Sequence, residues 1–118
     1  MAALHGLLAQ LSLVLVLLSA GWAAVLVVRS APGGRYFVVN LGWTVGAIAL
    51  AAVLGLVLLV TGPGPADPLH LVYGALALVA LPGAALLAAG RPVRRQAIVV
   101  CIGAVVLLIL VVRLFQTG

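Results

Sequence analysis

Residues 41–61 read LGWTVGAIALAAVLGLVLLVT, an unbroken run without a single charged side chain. A helix that crosses a bilayer needs about 20 mostly apolar residues, and this run supplies them. Three further stretches, residues 4–28, 69–89 and 96–115, meet the same requirement and leave only short connections between them. With 67% hydrophobic and 6% charged residues among 118, the chain has too little polar surface to cover a water-soluble core, since soluble domains are nearer half apolar and a quarter charged. In lipid the backbone has to satisfy its own hydrogen bonds, and uninterrupted Leu/Val/Ala runs do this as helices. The expected fold is therefore all-α: a polytopic membrane protein, an up-down bundle of four transmembrane helices forming a single domain over residues 1–118.

The connections carry the topological signal. Arg29 and Arg35 fall in the first, Arg91, Arg94 and Arg95 in the third, and the second, Gly62–Pro68, holds only Asp67, the sole acidic residue beside six basic ones. Cytoplasmic loops collect Lys and Arg, so the first and third connections are expected inside, and both termini and the second connection outside. The use of arginine without lysine, with much Ala, Gly, Val and Leu, fits a GC-rich bacterial genome and hence the bacterial inner (cytoplasmic) membrane. Met1-Ala2-Ala3 lacks the basic n-region of a signal peptide, and the apolar run continues past Ser19-Ala20-Gly21, so the first stretch is expected to remain as a span. A net charge of +5 would suggest nucleic acid in a soluble domain; here the arginines lie between spans, and nucleic acid is not an expected partner.

Breakers place the turns. Ala31-Pro32-Gly33-Gly34 ends the first span, and Gly90-Arg91-Pro92 ends the third. The second span is expected to start around Asn40, after Tyr36 and Phe37 at headgroup level. Asp67 is a suitable N-cap and Pro68 a suitable first helical residue for the third span. Gly42 and Gly46 form a GxxxG pair, the spacing that lets helices approach closely, and Pro82-Gly83 is a candidate kink. Cys101 reads as a small buried apolar residue.

The two halves echo each other. Leu4-His5 opens the first span and Leu69-His70 the third; Leu11, Leu13 and Val14 recur as Leu76, Leu78 and Val79; Thr61-Gly62 recurs as Thr117-Gly118, with Asn40 facing Gln96. A duplicated helical hairpin accounts for this, and so does chance alignment of Leu/Ala/Val-rich spans. His5 and His70 are the only histidines. The first and third helices run in the same direction, so both imidazoles are expected at one depth near the outer surface.

Ionisable groups in lipid are costly and are default functional candidates. They are His5, His70 and Arg113. Imidazole is a standard axial ligand, and two of them on one iron make a six-coordinate electron-transfer centre. Ala9 and Gly74, one turn deeper than the histidines, with Ser12 and Ala77 beyond, are small enough to leave a slot for the inward edge of a macrocycle. Arg113 could then pair with a propionate. The alternative reading gives His5 and His70 wet polar edges at the headgroups, lets Arg113 snorkel to water, and assigns the small residues to ordinary helix packing. No acid lies inside a span, no Cys/His cluster has zinc spacing, and no Ser-His-Asp set or phosphate-binding glycine loop is present, so independent catalysis is not expected.

The placement of His5 and His70 at the outer ends of alternate spans resembles small bis-histidine b-type membrane cytochromes (cytochrome b561-like) and one half of a haem A synthase-like bundle. The resemblance covers the helix layout and these two residues. It implies only haem b held between His5 and His70; the first expectation built on it is electron transfer as a subunit of a respiratory or photosynthetic complex. The second expectation is a cofactor-free accessory subunit. In either case the partners are the lipid bilayer, other integral membrane subunits, or further copies of the chain.

Overall fold

The computed structural model describes residues 2–118, so that Met1, the first residue of the single domain, lies outside the described residues. Among the described residues there are four α-helices and no strand: α1 (Ala2–Arg29), α2 (Gly34–Thr61), α3 (Leu69–Ala88) and α4 (Val93–Thr117). All four are long and apolar enough to cross a membrane. The protein is a four-helix bundle of extents 47 × 21 × 20 Å, a multi-pass membrane protein by its surface. At about 1.5 Å per residue, the 28 residues of α1 and of α2 exceed a hydrocarbon core of about 30 Å. That excess explains why α2 begins at Gly34 rather than near Asn40. Its first turns, with Arg35 and exposed Tyr36, continue the helix outside the apolar run.

Each helix packs on its neighbours in chain order, and α4 closes the ring by packing on α1. The tightest of these seams is between α3 and α4, the loosest between α2 and α3, and α1 and α3 lie on the diagonal. One buried cluster fills the middle and the Asp67 end, with Val16, Ile48, Ala77, Leu81, Leu107 and Val111. A second fills the arginine-bearing end, where Ala23 and Leu26 meet Phe37, Ala88, Ala97 and Val100.

The helix ends follow from local chemistry. α1 stops at Ser30, before the Pro-Gly-Gly stretch is reached: Ser30 takes φ +50°, Ala31 N donates to Leu26 O at 3.1 Å and Ser30 N donates to Val27 O at 3.2 Å. This pair of bonds is a Schellman closure, with serine in the left-handed position that glycine usually fills. α3 begins at Leu69, one residue later than expected, with Pro68 rather than Asp67 in the cap position; Asp67 Oδ1 still accepts from Leu69 N at 2.9 Å. Asp67 N in turn donates to Thr117 O at 3.2 Å, fastening the α2–α3 connection to the last turn of α4. The helix continues through Pro82.

Small residues do bring helices together, but not where the GxxxG spacing suggests. A Cβ added at Gly42 or Gly46 meets nothing within 4 Å. Both glycines face outward onto a groove of about 530 Å³ between α1 and α2, lined also by Leu8, Leu11 and Trp43. The intimate contact is at Gly103, where an added Cβ would lie 2.5 Å from Ala84 Cβ and 3.5 Å from Ala80 O. Cys101, expected to be buried, is half-buried.

Polar side chains buried between α1 and α2 form a small network. Asn40 Nδ2 donates to Ser19 Oγ at 2.8 Å, Ser19 Oγ donates to Leu15 O at 2.8 Å, and Thr44 Oγ1 donates to Asn40 O at 2.8 Å. Ser19 and Thr44 oxygens also lie 3.1 Å apart. Each hydroxyl carries one proton, so the Ser19–Thr44 bond forms only when one of the two back-bonds opens. Asn40 is buried here, whereas Gln96, its counterpart in the repeat alignment, is exposed. The two hairpins therefore use these positions differently.

Replacing Gly103 by alanine should lower stability by about 1–3 kcal/mol through overpacking, whereas Gly46→Ala should leave it unchanged or slightly raised. Thermal unfolding of the purified protein in detergent reads both. A larger loss at Gly46 than at Gly103 would contradict the packing described. In the same assay Ser19→Ala should cost about 0.6 kcal/mol, the average for hydrogen bonds between membrane helices.

Candidate functional site

The expectation that both histidines reach one depth is met. His5, on the second turn of α1, and His70, on the first turn of α3, lie with ring centroids 6.4 Å apart and planes inclined by 62°. Both are half-buried. Their helices sit on the diagonal of the bundle, so the rings meet across its centre line at the end that carries Asp67.

Each ring is held through Nδ1 by the helix beside it. His5 Nδ1 lies 2.9 Å from Ala51 O of α2; a carbonyl only accepts, so this nitrogen carries the proton and donates. Gly55, one turn further along α2, leaves the room the ring needs: an added Cβ would stand 3.1 Å from His5 Cε1. His70 Nδ1 lies 3.2 Å from Thr117 Oγ1, whose own proton goes to Arg113 O at 2.9 Å. With that proton committed, the threonine oxygen accepts and His70 Nδ1 donates. Gly118 gives the second ring its clearance, since a Cβ there would stand 2.9 Å from His70 Cε1. No hydrogen bond occupies Nε2 of either ring among the described residues.

This arrangement has a recognisable chemical meaning. Imidazoles that bind metals almost always donate their other N–H to a carbonyl, carboxylate or water, which fixes the tautomer and raises the basicity of the free nitrogen. With metal–nitrogen bonds of about 2 Å, two imidazoles on one metal place their centroids about 6 Å apart, close to the separation observed. Among the described residues no group of three or more His, Cys, Asp or Glu side chains could hold a metal ion. Two imidazoles alone do not complete a tetrahedral site; they suffice when a tetrapyrrole supplies the remaining donors.

The other sequence-derived positions divide. Ala9 and Gly74 lie one turn inward on the same helices and are half-buried; a Cβ at Gly74 would meet only Leu114 Cδ2, at 3.9 Å. Ser12 and Ala77, a further turn in, are buried, and Ala77 belongs to the core cluster with Val111 and Leu107. Two turns inward from the rings the bundle is thus closed by packing at Ala77. Arg113 is exposed, its Nη1 donates to Gln116 Oε1 at 3.2 Å, and it lines an outer groove with Leu108, Ile109 and Val112. No hydrogen bond joins it to either imidazole among the described residues.

The supporting residues Ala51, Gly55 and Thr117 were not singled out from sequence as partners of the histidines. A carbonyl has no side-chain signature, and a glycine on a Gly-rich helix carries little information. Comparison with known proteins finds no matching family model, no matching curated protein and no matching solved structure.

The geometry predicts that Nδ1 of each ring carries a proton, so that the neutral form of each is the Nδ1–H tautomer. Long-range ¹H–¹⁵N NMR of histidine-labelled protein in micelles distinguishes the tautomers directly. Thr117→Val should release His70 while His5 stays fixed, and Gly55→Val should do the reverse; an Nε2–H form of His5 in the unmodified protein would contradict the assignment.

Proposed function

We propose that the protein is a small membrane cytochrome that holds haem b between His5 and His70 and passes electrons within a larger respiratory or photosynthetic assembly. The observation that carries this reading is the ring pair itself. Its centroid separation suits one shared iron, both Nδ1 atoms are engaged by protein oxygens, and both Nε2 atoms are free of such bonds. When bound, the group supplies one-electron chemistry at iron. The chain's own part is to fix the two imidazoles, through Ala51 O and Thr117 Oγ1, and to exclude water from below through the packed layer at Ala77 and Val111. Ala9 and Gly74 are the small residues one turn inward of the rings, and Leu114 is the side chain nearest Gly74.

The arginine distribution supports placing the histidine end on the outer side of a bacterial cytoplasmic membrane, with both termini outside. The arginine-free second connection and the histidine pair then share that side.

A second reading rests on a different observation. The open groove beside Gly42 and Gly46, rimmed by exposed Trp43, offers close approach to a span of another membrane protein. That suits an accessory subunit, or a homo-oligomer, without a cofactor.

A reduced-minus-oxidised absorption spectrum of protein purified in mild detergent separates the two. Sharp α and Soret bands are expected, lost in both His5→Ala and His70→Ala. A featureless spectrum from folded protein overturns the cytochrome reading and favours the accessory one.

A further inference from the structure

The end of the bundle opposite the histidines carries five guanidinium groups: Arg29 at the end of α1, Arg35 in the first turn of α2, Arg91 after α3, and Arg94 and Arg95 in the first turn of α4. The shared core of Leu26, Phe37, Ala88 and Ala97 shows that these helix ends lie together. All five arginines are exposed. Arg91 Nε donates to Leu87 O at 2.8 Å, and no other hydrogen bond engages a guanidinium of the five among the described residues. The only acidic side chain, Asp67, is at the far end of the molecule. Among the described residues, nothing neutralises this face.

The placement of two of these charges is unfavourable without an outside counter-charge. Arg94 and Arg95 are adjacent cations in the first turn of α4, which has no acidic residue there and no side-chain cap. Helix dipoles favour anions at that end and disfavour cations. Next to the charges stands an aromatic layer: Trp22 packs edge-on against Phe37 at 5.5 Å between centroids, and Tyr36 is exposed beside Arg35. Tyrosine and tryptophan settle at the depth of lipid headgroups, so the guanidiniums are held level with lipid phosphates. Arginine meets phosphate with a planar pair of donors.

We infer that this face is a binding surface for acidic phospholipids, whose phosphodiester headgroups supply the negative charge the chain lacks at that end. Arg94 and Arg95 are its centre, and Arg29 and Arg35 hold neighbouring headgroups along the α1–α2 turn. The surface is separate from the histidine pair and does not depend on whether a cofactor binds there.

The test is lipid retention. The full chain is reconstituted into vesicles of equal parts phosphatidylglycerol and phosphatidylcholine, re-extracted in mild detergent, and weighed with its bound lipids by native mass spectrometry. Phosphatidylglycerol should be retained over phosphatidylcholine by roughly tenfold, on the basis of the attraction expected per basic residue at a charged surface. Arg94→Gln with Arg95→Gln should remove most of that preference. On the unmodified protein, about 1 M salt, which shortens the screening length to about 3 Å, should do the same without any substitution. Equal retention of the two lipids at low salt overturns the inference and turns attention to an acidic protein surface. So does a preference that survives both high salt and the double substitution.

Discussion

Lipid offers no hydrogen-bond partner to a peptide group, and almost everything in this molecule follows from that constraint. It makes each apolar run a helix and turns the hydroxyl side chains within the spans back onto the backbone. Ser12, Ser19, Thr44, Thr61 and Thr117 all donate to the carbonyl four residues back. Association between the helices then cannot come from the hydrophobic effect, because lipid tails are as apolar as leucine. It comes from close approach, as at Gly103 against Ala84, and from the few cross-helix hydrogen bonds, as at Ser19, Asn40 and Thr44.

The same constraint explains what could be read in the sequence. Spans are legible because hydropathy over about twenty positions is a large signal, and the breaker residues bound each connection to within a few positions. The depth of the two histidines is legible too, since span order fixes direction. Side-to-side packing is less so. Gly42 and Gly46 have the spacing of a helix contact, yet they face outward, while Gly103, with no such partner, makes the tightest contact in the bundle. Spacing records which residues share a face, and rotation of the helix decides what that face meets. Asn40 and Thr44, polar residues four apart within a span, were the available sign of the network with Ser19.

The bundle is strongly polarised along its axis. One end gathers five arginines around an aromatic layer; the other gathers both histidines and the only acidic side chain. Between them lies a core of aliphatic side chains about which the two ends are chemically independent. The α3–α4 seam binds the ends mechanically, because α4 both begins among the arginines and, through Thr117, supports His70.

The α2–α3 connection is clipped to α4 by a single main-chain bond, Asp67 N to Thr117 O, on the very residue whose side chain holds His70. The helices that carry the rings, α1 and α3, lie on the diagonal and come within touching range at the imidazoles. Spreading the mouth of the bundle would therefore widen the gap between two aromatic rings. The 6.4 Å between the ring centroids is thus a gauge of the width of the mouth.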